Sequence, residues 1–282
     1  MSAVGFLKIV RPANAVMAGV ATVVAYFIAT GTLVPATILL LVVVLLITAA
    51  GNVINDYFDA EIDAVNRADR PIPSGQVSRT AALWYAVFLF AAGIAISLFT
   101  NPLCAEIALF NSFLLALYAA RFKSMPVVGN VVVAYLAGSM FLFGGAFAGI
   151  SGLTHLLPLA VMTFLAMMAR ELLKDAEDVE GDKAGGASTL PILIGVKKTA
   201  YCAFVFTLLS AGASMIPYLL WGWGMPYLVM IGIVDIALLV AVYRALHCGS
   251  PLCVRNSGAS AVLKYSMFAS LIVFVLSAHL LG

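Results

Sequence analysis

The sequence predicts an all-α, polytopic membrane protein of about nine transmembrane helices. Three observations carry this: 63% of its 282 residues are hydrophobic, only 10% are charged, and long apolar runs recur between polar breaks. The mean hydropathy of +1.09 exceeds what a soluble domain of this length can bury, because buried surface rises slowly with size. A net charge of +2, with no basic tail, is too small to suggest nucleic acid, and none is expected as a partner. The first apolar run, Ala13 to Thr30, is long enough to span and is closely followed by another, so it reads as a retained span rather than a cleaved signal.

The runs place spans at roughly 13–30, 33–54, 81–99, 102–120, 126–149, 155–173, 199–220, 224–244 and 261–281. They leave two long polar connections, Asn55–Thr80 and Lys174–Lys198, within a single domain over residues 1–282. With this count all 15 Lys and Arg residues fall on the amino-terminal side of the membrane. The positive-inside rule then puts the amino terminus and both long connections in the cytoplasm and the carboxyl terminus outside a cell membrane. Gly31–Pro35 and Trp221–Pro226, on the other side, carry no basic residue.

Most of the 13 acidic residues lie in the two long connections. Each connection contains D-x-x-D-x-x-x-D: Asp56, Asp59 and Asp63, then Asp175, Asp178 and Asp182. Each follows an even-numbered span, and the two are four spans apart, which predicts two related halves running in parallel. Positions i, i+3 and i+7 share one face of a helix, so each cluster is expected to project three carboxylates in one direction, with Asn55 one turn before Asp59. Close carboxylates repel one another, and a divalent cation is their natural compensation. Oxygen ligands without His or Cys suit Mg²⁺, which keeps waters and binds through one or two carboxylates plus substrate phosphates. Asn55, Asp56, Asp59, Asp63, Asp175, Asp178 and Asp182 are therefore the candidate metal ligands, forming a clamp for a diphosphate. As plain solvated loops, two copies of one spacing at matching positions in an acid-poor chain would be a coincidence. Arg67 and Arg70, before Pro71-Ile72-Pro73-Ser74-Gly75, are candidate phosphate contacts or topology anchors.

With these residues in place, the chain resembles the UbiA superfamily of intramembrane prenyltransferases. The likeness rests on Asn55, Asp59 and Asp63 as N-x-x-x-D-x-x-x-D, on Asp178 and Asp182 as D-x-x-x-D, on Arg11-Pro12-x-Asn14, and on Tyr118-x-x-Arg121-x-Lys123. The resemblance implies nine helices in a ring around a central, lipid-open cavity, with Mg²⁺ between aspartates and diphosphate. It implies catalytic roles for Asp59, Asp63, Asp178 and Asp182, with Tyr118 near the reacting allylic carbon. Arg11, Asn14, Arg67, Arg70 and Lys123 become candidate substrate contacts. The surroundings of both motifs look most like the archaeal digeranylgeranylglyceryl phosphate synthases. That branch implies transfer of geranylgeranyl from its diphosphate to the hydroxyl of geranylgeranylglyceryl phosphate, a lipid-like phosphorylated alcohol. The expected surroundings are membrane lipid, with no obligatory protein partner evident.

Other residues compete for attention. Asp235 interrupts the eighth span, and an intramembrane carboxylate is a functional candidate as well as a packing residue. Glu106 reads as interfacial. Lys8, Lys197 and Lys198 are candidates for the acceptor phosphate by location and positive-inside anchors by habit. Gly145-x-x-x-Gly149 permits close helix approach, most simply within the bundle. Cys104, Cys202, Cys248 and Cys253 make no C-x-x-C or zinc spacing and read as scattered thiols, although Cys248 and Cys253 are close enough to suggest a redox or metal pair. Two alternatives remain open: an aromatic acceptor such as a quinone, pigment or haem precursor, and a magnesium transporter or channel with the clusters as sensors.

Overall fold

The computed structural model describes residues 1–281. Its helices in chain order are α1 (Ala3–Ile9), α2 (Pro12–Thr30), α3 (Thr37–Phe58), α4 (Ala60–Asn66), α5 (Arg79–Ser97), α6 (Pro102–Ala120), α7 (Val128–Phe147) and α8 (Ile150–Glu177). They continue with α9 (Val179–Ala184), α10 (Leu190–Ile194), α11 (Val196–Ala213), α12 (Ile216–Leu220), α13 (Met225–Leu246), α14 (Pro251–Ser257) and α15 (Ala259–Leu281). Among the described residues there is no strand, and nine segments are long and apolar enough to cross a membrane. The predicted spans are therefore met, with boundaries shifted by up to about a turn; the ninth is extended at its start by α14. Contacts divide the chain into two compact units: Met1–Phe122 with Phe143–Thr154, and Lys123–Leu142 with the chain from His155 onward.

In the first unit α3 is the central element, packed by α1, α2, α5 and α6. Its row of Leu40, Val43, Ile47, Ala50 and Ile54 is buried at helical spacing. At Gly19 of α2 a Cβ would stand 2.9 Å from the Leu41 carbonyl oxygen, so the α2–α3 approach requires glycine. Helix starts are set locally: Ser78 accepts from the Ala81 amide ahead of α5, and Asn101 accepts from Cys104 ahead of α6, with Pro102 in the first turn. Helix α1, too short and too polar at Lys8 to register in the apolar runs, begins at a Ser2 cap. The chain leaves it through Arg11, whose left-handed backbone (φ 49°) turns directly into α2. Of the Gly145-x-x-x-Gly149 pair only Gly145 makes a close approach: a Cβ there would lie 2.6 Å from the Gly152 carbonyl oxygen, where the end of α7 packs on the start of α8, whereas Gly149 lies past the end of α7 at φ 91° with open space around its Cβ position and serves the turn.

In the second unit α13 packs against α11, α14 and α15. The seventh span breaks after α11, at Ser214, and resumes in α12 with Pro217 in its first turn. Tyr227 donates its hydroxyl to the Ser214 carbonyl at 2.6 Å, and Ser214 Oγ lies 2.6 Å from Asp235. Asp235 therefore serves this break, supplying polar partners where the helix stops making its own. Cys248 and Cys253 are not scattered thiols: they form a disulfide, with Cα atoms 5.3 Å apart. The Ser250 cap and Pro251 start α14 at once after α13, folding the five-residue separation back on itself. Cys104 and Cys202 are free.

Candidate active site

Both aspartate clusters sit at a helix break, and at the same residue of the repeat. The sequence predicts one continuous helical face. Instead α3 ends at Phe58 and α4 starts at Ala60, with Asp59 between them; α8 ends at Glu177 and α9 starts at Val179, with Asp178 between them. The backbone bond from Asp63 N–H to Asp59 C=O (2.8 Å) matches that from Asp182 to Asp178 (2.9 Å). Helical bonding therefore carries past the break, and the three aspartates of each cluster stay about one turn apart.

The first cluster is closed by guanidinium groups. Arg11 Nη2 donates to Asp56 Oδ1 at 2.5 Å, and Arg70 Nη1 reaches both Asp63 Oδ2 (2.5 Å) and Asp56 Oδ1 (3.3 Å). Asp56 and Asp63 are buried at 4% and 6% exposure, a state that carboxylates tolerate only with such partners. Asn55 Nδ2 donates to Asp59 Oδ2 at 2.9 Å, the one-turn contact that the motif predicts. Arg67 is exposed and takes no part in this network, so Arg70 is the arginine of the pair that the fold brings to the cluster. Asn14 is likewise exposed at the start of α2, and Tyr118 is half-buried near the end of α6. Arg79, 5.0 Å over the Tyr57 ring, pairs with Glu61 at the surface.

The second cluster has the same spacing and different partners. Asn130, third residue of α7 and buried, donates Nδ2 to Asp175 Oδ2 at 2.8 Å. Arg255 of α14 reaches Asp178 Oδ1 at 3.2 Å and the Glu177 carbonyl at 2.9 Å. Asp182 Oδ2 is buried without a hydrogen-bond partner, and so is Oγ1 of Thr189. Burial pushes the Asp182 carboxyl above its ordinary range; Asp178 adds to the rise, and the Thr189 hydroxyl, Lys174 and Lys123 pull against it. Lys123 is thus within electrostatic reach of this cluster, whereas Lys8, Lys197 and Lys198 are simply exposed.

Among the described residues, no three His, Cys, Asp or Glu side chains converge tightly enough to chelate an ion by themselves. The residues nonetheless fit magnesium: the donors are oxygen throughout, an orphaned buried carboxylate oxygen is present at Asp182, and Mg²⁺ needs only one or two carboxylates when phosphate and water complete its shell. Four participants escaped the sequence reading: Asn130, Glu171, Thr189 and Arg255. Glu171, ion-paired with Arg170 and 8% exposed, lies one turn before Asp175 on the acidic face. Carrying the repeat spacing beyond the aspartates identifies Asn130 and Thr189. Arg255, 77 residues from Asp178, leaves no such signal.

Comparison with known proteins gives the family and the fold. The model of the UbiA prenyltransferase family matches residues 18–276. A digeranylgeranylglyceryl phosphate synthase of Methanoregula boonei is 60% identical over 275 residues, covering 97% of this chain and 98% of that one. A solved structure of a digeranylgeranylglyceryl phosphate synthase superposes with a TM-score of 0.86 at 34% identity, covering 98% of each chain. A UbiA homologue from Archaeoglobus fulgidus, solved with DMAPP and Mg²⁺, shares the fold at a TM-score of 0.67 and 17% identity, covering 95% of this chain and 98% of its own.

Proposed function

Because this chain belongs to the UbiA prenyltransferase family and is an intramembrane prenyltransferase, we propose that it transfers geranylgeranyl from geranylgeranyl diphosphate to the hydroxyl of geranylgeranylglyceryl phosphate, with Mg²⁺ as cofactor. The observation that carries the acceptor is the likeness, over nearly the whole chain, to the Methanoregula boonei synthase of that name. Family membership sets aside the transport alternative, and nothing in the site favours an aromatic acceptor.

Asp56, Asp59 and Asp63, with Asp175, Asp178 and Asp182, are the residues that would hold magnesium, aided by Asn55. Magnesium bound there would neutralise the diphosphate and make it a better leaving group. Arg11 and Arg70, already at the first cluster, exchange carboxylate for phosphate oxygens when substrate arrives, since guanidinium matches either acceptor in the same geometry. Lys123 adds charge at the second cluster. The flanking apolar spans keep water from the allylic cation, which it would otherwise trap as an alcohol. Tyr118 lies beside that cation with its ring as a neutral, electron-rich wall. The distribution of Lys and Arg supports a cytoplasmic site, with the carboxyl terminus outside.

The test is transfer by purified, detergent-solubilised protein, using labelled geranylgeranyl diphosphate with and without Mg²⁺. Geranylgeranylglyceryl phosphate and 4-hydroxybenzoate are supplied in parallel. A magnesium-dependent diether is expected from the first; product only from the second would move the protein to an aromatic acceptor.

A further inference from the structure

The break in α8 at Asp178 is joined to a cysteine pair by a short, unbroken path. Arg255 lies two residues after Cys253 on α14, and its Nη2 donates to the Glu177 carbonyl at 2.9 Å and to Asp178 Oδ1 at 3.2 Å. Glu177 is the last residue of α8, the position at which helix carbonyls run out of amide partners and a cation suits the negative end of the dipole. Arg255 therefore caps α8 and holds the side chain at the break with one nitrogen. Helix α14 is itself anchored: the Cys248–Cys253 disulfide ties it to the chain just past the end of α13, with Cys248 buried and Cys253 exposed. The pair lies among Arg244, Arg255 and Lys264, in a connection on the basic face. A disulfide that borders the cytoplasm meets thiol reductants, and such bonds are characteristically redox-sensing rather than permanent.

We propose that Arg255 is a positioning residue for Asp178 and that the Cys248–Cys253 disulfide holds it there, so that the thiol state of this pair sets the rate of prenyl transfer. The inference rests on the cytoplasmic prenyl-transfer site proposed above and adds a control to it. Reduction starts with a dithiol, whose thiolate attacks the exposed Cys253 sulfur. The S–S bond breaks, and Cys248 leaves as a thiolate and takes a proton. The second sulfur of the dithiol then displaces Cys253 and closes the dithiol into its own disulfide, so that two electrons and two protons pass to the cysteine pair. Backbone alone then ties α14 to α13. Arg255 exchanges its contacts for water at little cost, because it and Asp178 are open to solvent, at 59% and 50% exposure.

The experiment uses the full chain in detergent, purified without reductant, and combines thiol alkylation with single-turnover transfer to whichever acceptor the parallel assay identifies. Before reduction the denatured protein is expected to alkylate at Cys104 and Cys202 only, and after dithiothreitol at all four cysteines. Dithiothreitol is expected to slow wild-type transfer about fivefold, the scale of one solvent-exposed pair, with recovery on reoxidation by diamide. Arg255→Ala is expected to be slowed to the same degree and to ignore dithiothreitol. Arg255→Lys, with one ammonium for two acceptors, recovers part of the rate and part of the response. Cys248→Ser with Cys253→Ser matches the reduced wild type. A merely structural disulfide would slow Arg255→Ala further on reduction, because the two losses would add. That result would overturn the proposal, as would a wild-type rate indifferent to dithiothreitol or alkylation of all four cysteines before reduction. Transfer to 4-hydroxybenzoate alone would overturn the acceptor assignment and leave this inference standing, since the thiol response is read with either product.

Discussion

The two halves of this chain present the same three aspartates at the same helix break, yet the groups that bond them differ: guanidinium groups close the first cluster, whereas an amide and one exposed arginine contact the second. In the first half Asp56 and Asp63 are nearly inaccessible and share Arg70, with Arg11 as a further partner. In the second, Asp175 has an amide, Asp178 an exposed arginine, and Asp182 Oδ2 no partner at all. A repeated motif therefore does not mean a repeated site. Spacing is conserved within the chain because a helical turn requires it; the balancing charge is free to vary because each neighbour comes from a distant segment.

The largest effect that breaks this comparison comes from the matched central residues. Asp59→Asn and Asp178→Asn should each lower transfer by about 10²–10³-fold in a single-turnover assay, the scale of removing one electrostatic stabiliser of a developing charge. If one variant kept wild-type turnover, only one half would be catalytic. Next is Arg70→Ala. It leaves two buried carboxylates without their shared partner and should cost about 3–5 kcal/mol in a reversible detergent unfolding measurement, as well as raising KM for the diphosphate. An unchanged stability would mean that Asp56 and Asp63 do not depend on it. The smallest belongs to the second half: Arg255→Ala, which removes an exposed pair, should change stability by no more than about 1 kcal/mol, and less at high salt. A larger, salt-insensitive loss would show that Arg255 is as integral to its cluster as Arg70 is to the first.

Much of this was legible in the residues. Span positions, the basic bias, both D-x-x-D-x-x-x-D clusters and the Asn55–Asp59 contact are set by hydropathy and by one-turn spacing, which are local. Arg70 was legible as a candidate beside Arg67, but choosing between them required the fold, which holds one, half-buried, at the cluster and leaves the other exposed. The expected single helical face failed at Asp59 and Asp178, where both helices break although the sequence carries no proline or glycine at either residue. Cys248 and Cys253 were legible as a close pair, but that they form a disulfide depends on how α14 follows α13.

By itself, then, the sequence determined a membrane protein of nine apolar spans carrying two acidic clusters of identical spacing, because burial in lipid and the helical repeat leave few other readings. Tertiary structure decided which charges meet. Arg11 and Asn130 reach their aspartates from 45 residues away and Arg255 from 77, and a salt bridge or hydrogen bond operates over a few ångströms whatever the separation along the chain. Only tertiary packing could bring guanidinium groups to the buried aspartates of one cluster and an amide to the buried aspartate of the other.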